Sequence, residues 1–160
     1  MEHETNIPKY DPNAAPVLDI NGIKKLLPHR PPFLMVDRII EMGEDYVVGI
    51  KTIGVNEWYF NGHFPEEPVV PGVLLIEAMA QVGGILVLNS VDEPERYSTY
   101  FAKIDSAKFK RKVIPGDVVV FKLTITNPLR RSIVSMNGKA YVGDTLVCES
   151  DMVAQVIKNR

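Results

Sequence analysis

PGVLLIEAMAQVGGILVLN, residues 71–89, is the stretch on which the fold turns. Proline opens it, helix formers fill it and polar residues follow, so it predicts one helix roughly 27 Å long at 1.5 Å per residue. Its sides are apolar nearly all round, and Glu77 is its only charge. The length also suits a membrane span, but Glu77, Gln81 and the Gly83-Gly84 pair interrupt it and no basic flank follows, so no membrane span is expected. A helix hydrophobic on every side in a soluble chain has to be enclosed, and a sheet curled around it is the simplest enclosure.

Downstream only strand-like runs follow, at 97–104, 107–114, 118–126, 132–142 and 145–157. Pro115-Gly116-Asp117, Asn127-Pro128 and Gly143-Asp144 separate them as three hairpin-like turns. Val119, Phe121, Leu123 and Ile125 alternate with Val118, Val120, Lys122, Thr124 and Thr126, the period of a sheet with one strongly apolar face. Upstream, 33–40 and 46–55 read as two strands joined by Gly43-Glu44-Asp45, and Asp19 can cap a short helix over 21–27 that Pro28 stops. The whole is an α+β chain, an antiparallel sheet wrapped around a long central helix. Residues 1–16, polar with three prolines and no periodicity, read as a flexible extension or linker, leaving 17–160 as the single domain.

Composition narrows the function classes. The 160 residues carry 18 Lys+Arg against 20 Asp+Glu, a net charge of −2, which lacks the basic excess that non-specific nucleic-acid binding needs. The lone Cys148 and the absence of a basic-then-apolar leader predict a reducing compartment, the cytoplasm, with Cys148 itself a small core residue. His3, His29 and His63 are scattered and show no zinc spacing, and there is neither a phosphate loop nor a dinucleotide fingerprint. No metal and no nucleotide cofactor are expected.

Two residues carry the candidate chemistry. Residues 61–72 hold three prolines and two glycines directly before the long helix, so the loop is stiff and His63 is held at a defined place near the helix start. Alone, such a histidine reads more simply as a hydrogen-bonded turn residue; near a substrate it is the side chain suited to taking a proton at neutral pH. Glu77, inside the apolar helix, loses hydration, which favours the neutral acid that a proton donor needs; an ion pair or an edge position is the structural alternative. Gln81 lies one turn on and can orient that carboxyl group. The backbone amides of Val69, Val70, Gly72 and Val73 stand near the helix N-terminus as oxyanion donors, and Gly72 leaves room for a ligand carbonyl. Together these make a layout for moving protons beside a polarised carbonyl.

Leu27-Pro28-His29-Arg30-Pro31-Pro32-Phe33-Leu34-Met35-Val36-Asp37-Arg38, Gly62-His63-Phe64-Pro65, residues 71–81, Phe109-Lys110-Arg111 and residues 113–117 closely resemble the FabZ-type (3R)-hydroxyacyl-[acyl-carrier-protein] dehydratases. The similarity runs over about residues 18–157. It implies a hotdog fold, a homodimer often assembled as a trimer of dimers, and active sites at the subunit interface that take His63 from one chain and Glu77 from the other. It also implies that the Gly72 amide polarises the thioester carbonyl, that Tyr100 gates an acyl tunnel, and that dehydration to the trans-2-enoyl thioester serves type II fatty acid biosynthesis. Glu at position 77, where FabA-type dehydratase/isomerases carry Asp, favours dehydration without obligatory isomerisation.

Phe64 and Tyr100 are substrate-side candidates with Val73 and Gln81, and Phe60, Phe101, Ile104, Ile76, Met79 and Ile85 are candidates for an apolar channel. Lys108, Lys110, Arg111 and Lys112, read along one strand, and Arg130-Arg131 are the basic groups expected to meet an acidic acyl carrier protein and its phosphopantetheine phosphate. That prosthetic arm belongs to the substrate, so the chain needs no cofactor of its own. The extension before Val17 looks like an interdomain linker, since some FabZ-type domains lie behind a lipid A deacetylase. A hotdog thioesterase and a non-catalytic acyl-binding domain are the competing readings.

Overall fold

A computed structural model describes residues 7–159. The elements in chain order are α1 (Ile20–Leu26), β1 (Arg38–Met42), β2 (Tyr46–Thr52), α2 (Gly72–Leu88), β3 (Tyr97–Phe109), β4 (Val118–Arg130), β5 (Ile133–Val142) and β6 (Thr145–Lys158), with a 3₁₀ turn at Trp58–Asn61. Every strand pairing is antiparallel, and the six-stranded sheet runs β1-β2-β4-β5-β6-β3. The expected α+β architecture is therefore present.

Helix α2 packs on β2, β4, β5 and β6, and twelve of its seventeen residues are buried. Val119, Phe121 and Leu123 of β4 face it, as their alternation predicts, and join Met79, Val82, Ile85, Met136 and Cys148 in one core. The approach is close at Gly49, where an added Cβ would stand 2.8 Å from Val82 Cγ2 and 3.1 Å from Ile39 Cδ1. A second, outer apolar cluster, Val48, Ile50 and Val120, is covered by Tyr10, whose hydroxyl accepts from Arg38 Nη1 at 3.3 Å. Residues 1–6 of the expected free extension lie outside the described residues; around Tyr10 the chain is laid on the sheet rather than free of it.

Four expectations need correction. Residues 33–37 are not strand: β1 begins at Arg38, because the backbone of Phe33 and Met35 is bonded by a side chain of α2 and not by a neighbouring strand. The runs at 97–104 and 107–114 are one strand to Phe109, with bulges between Phe101 and Lys103 and between Asp105 and Lys108 where Ser106 takes φ 52°. Asn127-Pro128 is not a turn. It lies within β4 at an irregular stretch where proline's missing N–H costs no ladder bond, and the chain reverses at Arg131-Ser132, both left-handed at φ 52° and 67°. Pro115-Gly116-Asp117 turns the chain but joins no hairpin, since β3 pairs with β6 and β4 with β2 and β5. The reversals at 43–45 and 143–144 stand as expected, and Asp19 caps α1 through Gly22 N at 2.9 Å.

Candidate active site

The loop before α2 is closed on itself. His63 N donates to Tyr59 O at 3.0 Å, Val69 N donates to His63 O at 3.1 Å, and Phe64 and Glu67 exchange backbone bonds at 3.2 and 3.1 Å. The ring is fixed too: His63 Nδ1 lies 2.8 Å from Val69 O, and the Phe64 ring stacks at 4.2 Å. A carbonyl oxygen only accepts, so Nδ1 carries the proton and Nε2 presents its lone pair. That is the tautomer a general base requires.

Beside it begins α2, capped by Pro71 with no side-chain bond to its first amides. Helix geometry leaves the Gly72 and Val73 N–H groups without intrahelical acceptors, so both are available to an oxyanion. The expectation for Val69 and Val70 is corrected: their amides are spent on His63 O and on Val113 O at 2.8 Å. Gly72 is a necessity of packing, since a Cβ there would stand 2.6 Å from the Phe109 ring. His63, Gly72 and Val73 share one cavity with Phe109, Lys110, Arg111 and Lys112.

Glu77 follows five residues into the helix and opens on a different cavity. Its side chain is 19% exposed, so it is a partly screened wall residue rather than a fully enclosed one. Oε1 accepts from Gln81 Nε2 at 3.0 Å. Gln81, 2% exposed, also accepts from Met35 N at 2.7 Å and donates to Phe33 O at 2.9 Å, which fixes its amide orientation and ties the 33–35 segment to the carboxyl group. The slot beyond is apolar, walled by Ala80, Gly84 and Val87 of α2, by Tyr100 and Phe101 of β3, and by Met136 and Met152. Of the channel candidates, Phe101 and Tyr100 line it; Phe60, Ile76, Met79 and Ile85 are core, while Phe64 and Ile104 are exposed. Sequence reasoning missed His29, whose Nε2 stands 3.6 Å from Glu77 Oε1 in the same cavity; its place between Pro28 and Arg30-Pro31-Pro32, a rigid setting, was the available signal.

His63 and Glu77 of one chain thus line separate cavities. The basic groups separate as well. Lys108 and Lys110 both approach Glu149, at 4.0 and 3.6 Å, while Lys112, beyond the end of β3, pairs with Glu67 at 2.9 Å, so the three do not form the single strand face expected. Arg130-Arg131 stands at the opposite end of the sheet, roughly 20 Å away along the strands, by the six-residue step in β6 from Glu149 to Gln155. Among the described residues Arg111, Arg130 and Arg131 have no acidic partner, and no cluster of side chains could hold a metal ion. No described helix is long and apolar enough to cross a membrane.

Comparison with known proteins places the chain. Residues 27–151 match a FabA-like domain. It is 51% identical over 140 residues to the 3-hydroxyacyl-[acyl-carrier-protein] dehydratase FabZ of Geotalea uraniireducens, covering 86% of this chain and 95% of that one. It is 61% identical over 158 residues to the bifunctional enzyme LpxC/FabZ of Bacteroides thetaiotaomicron, covering 99% of this chain but only 34% of that protein, so it spans about a third of such relatives. Among solved structures, the dehydratase heterocomplex ApeI:P from Xenorhabdus doucetiae superposes with a TM-score of 0.70 at 15% identity over 83% of this chain and 89% of that one, a likeness of fold. The helix wrapped by an antiparallel sheet is a hotdog fold, and the chain belongs to the FabA-like family.

Proposed function

We propose that this chain dehydrates (3R)-hydroxyacyl-[acyl-carrier-protein] to the trans-2-enoyl thioester in type II fatty acid biosynthesis, as a homodimer in the cytoplasm with no cofactor of its own. His63 Nε2 removes a C2 proton, the Gly72 amide stabilises charge on the thioester oxygen, and Glu77 gives a proton to the C3 hydroxyl, which leaves as water. Val73 and Phe64 flank the thioester, Gln81 holds the acid, and Tyr100 stands at the slot that takes the acyl chain. The observation that carries the reading is that two complementary half-sites sit at the two ends of one edge strand, whose inner side pairs with β6 and whose outer side has no neighbour. β3 forms the sheet edge, with Ile104 46% and Phe109 53% exposed. Its Phe109 end borders the base cavity and its Tyr100 end the acid cavity.

Antiparallel pairing of two β3 edges about a two-fold axis lays the Phe109 end of one chain against the Tyr100 end of the other, so each base cavity faces a partner's acid cavity. The same operation brings Arg130 and Arg131 toward the partner's Lys108, Lys110, Arg111 and Lys112, assembling a basic rim suited to an acidic carrier protein and a phosphopantetheine phosphate. Three such dimers would make the trimer of dimers. The chain's likeness over nearly its full length to bifunctional relatives supports a place in a longer protein that also serves lipid A biosynthesis. Incubation with a crotonyl thioester tests the reaction: reversible hydration supports it, release of free thiol gives a thioesterase, and no change gives an acyl-binding domain.

A further inference from the structure

His29 is held with unusual care for a residue outside the acid–base pair. The Arg30 guanidinium donates to Leu27 O at 2.8 Å, His29 O at 2.7 Å and Lys24 O at 3.0 Å, clamping the backbone on both sides of it. The ring lies 17° from parallel with Phe33, centroids 6.3 Å apart. Yet Nδ1 is buried without a hydrogen-bond partner, and Nε2 faces Glu77 Oε1. These two facts select the tautomer. A proton on Nδ1 would bury an unbonded N–H and turn the Nε2 lone pair toward a carboxyl oxygen, whereas a proton on Nε2 aims a donor at that oxygen and leaves only a bare lone pair orphaned. Burial also pushes His29 below the usual imidazole value, and Arg30 does so further, against the opposing pull of Glu77.

Resting on the dehydratase reading, we propose that His29 is a positioning residue for the acid: a neutral Nε2–H donor that, with Gln81, occupies Glu77 Oε1 and so leaves Oε2 to carry the proton given to the substrate. Gln81 donates to Oε1 at 3.0 Å, while His29 Nε2 stands 3.6 Å from it, a short approach away from a second hydrogen bond on its other side. Neutrality is part of the role. A cation at 29 would pair with the carboxylate and oppose the protonation that dehydration needs. The titratable groups around His29 are Glu77 from α2, Arg30 on its own segment and Tyr100 from β3 across the cavity, so Glu77 is the carboxyl group that such a cation would engage.

Three variants test this in the intact protein. His29→Gln keeps a neutral N–H at similar reach, His29→Leu removes it, and His29→Lys replaces it with a cation. Hydration of crotonyl thioester is expected to fall about 10²-fold in kcat for His29→Leu with KM within about twofold, and to recover to within about fivefold of wild type in His29→Gln. A readout independent of turnover is the ¹³Cδ resonance of Glu77: relative to wild type, its pH response is expected to move to lower pH in His29→Lys and to be unchanged in His29→Gln. Equal loss in the Leu and Gln variants, a loss carried by KM alone, or a Glu77 titration unmoved by His29→Lys overturns the proposal. Absence of any wild-type hydration defeats the dehydratase reading instead, and the carboxyl titration then decides whether His29 governs Glu77.

Discussion

Replacing Gln81 with methionine keeps length and volume while deleting the amide that three groups share. Met35 N, on a residue 4% exposed, loses its acceptor at 2.7 Å; Phe33 O loses a donor at 2.9 Å; Glu77 Oε1 loses one at 3.0 Å. A buried backbone donor left unbonded costs about 1–3 kcal/mol, and the carbonyl of Phe33, a residue 43% exposed, costs less. The sum is about 2–4 kcal/mol. For a chain of this size, roughly 3 °C per kcal/mol, the midpoint of thermal unfolding falls by about 6–12 °C. Loss of orientation at the carboxyl group lowers kcat a further 10-fold or more, on the order of the cost of misplacing a catalytic group. Calorimetry at fixed protein concentration and crotonyl-thioester hydration read the two effects. Ser150→Ala is the control: Ser150 is as buried and bonds Asp105 O and Asp151 O at 3.0 Å each, so it should lower stability and leave kcat unchanged. A Gln81→Met protein that melts within about 2 °C of wild type and turns over normally would show that the amide neither stabilises the fold nor orients Glu77.

Gly49→Ala, meeting Val82 and Ile39, is expected to destabilise by about 1–3 kcal/mol, while Gly84→Ala, whose nearest neighbour is Leu27 Cδ2 at 3.6 Å, gains about 0.5–1 kcal/mol from helix propensity; chemical denaturation reads both signs. Burial pushes the Cys148 thiol up to about 11 from its usual 9.0, so it resists alkylation at pH 8 until the protein unfolds. By linkage the folded thiol keeps its proton where the unfolded one releases it, so stability held below pH 9.0 declines as pH rises toward about 11, which urea titrations across that range would detect. Arg111→Glu and Arg131→Glu should raise KM for a carrier-protein substrate in a salt-dependent manner and leave a small-thiol crotonyl ester unaffected; equal effects on both substrates would remove the carrier role of these arginines.

What the sequence shows about this fold is what local periodicity can encode. The helix at 71–89, the alternation in β4 and the reversals at 43–45 and 143–144 follow from residue spacing and turn chemistry within a few positions. The errors fall where a distant group overrides that local rule. Residues 33–37 have strand composition, but Gln81, 46 and 48 residues away from Met35 and Phe33, takes their backbone bonds. Val69 and Val70 look like free helix-start amides until Val113 and His63 arrive. Arg131-Ser132 turns the chain without the glycine or asparagine that normally announces such a reversal, so Asn127-Pro128 attracted the assignment. Of the candidate site, the positions of His63 and Gly72 at the helix start and of Glu77 and Gln81 one turn apart were legible, because loop stiffness and a lone charge on an apolar helix are visible in one dimension. His29 was not, because its meaning comes only from the carboxyl group it faces 48 residues later.

The proposed dimer builds each site from His63 of one chain and Glu77 of the other. Co-expressing His63→Ala and Glu77→Gln chains, each inactive by itself, tests it with no assumption about substrate length. Random pairing makes half of the dimers mixed, and in each of those one of two sites is intact, so roughly a quarter of wild-type activity is expected. A mixture as inactive as its parents, with mixed dimers demonstrated by tag pull-down, would show that the two residues do not meet across the dimer.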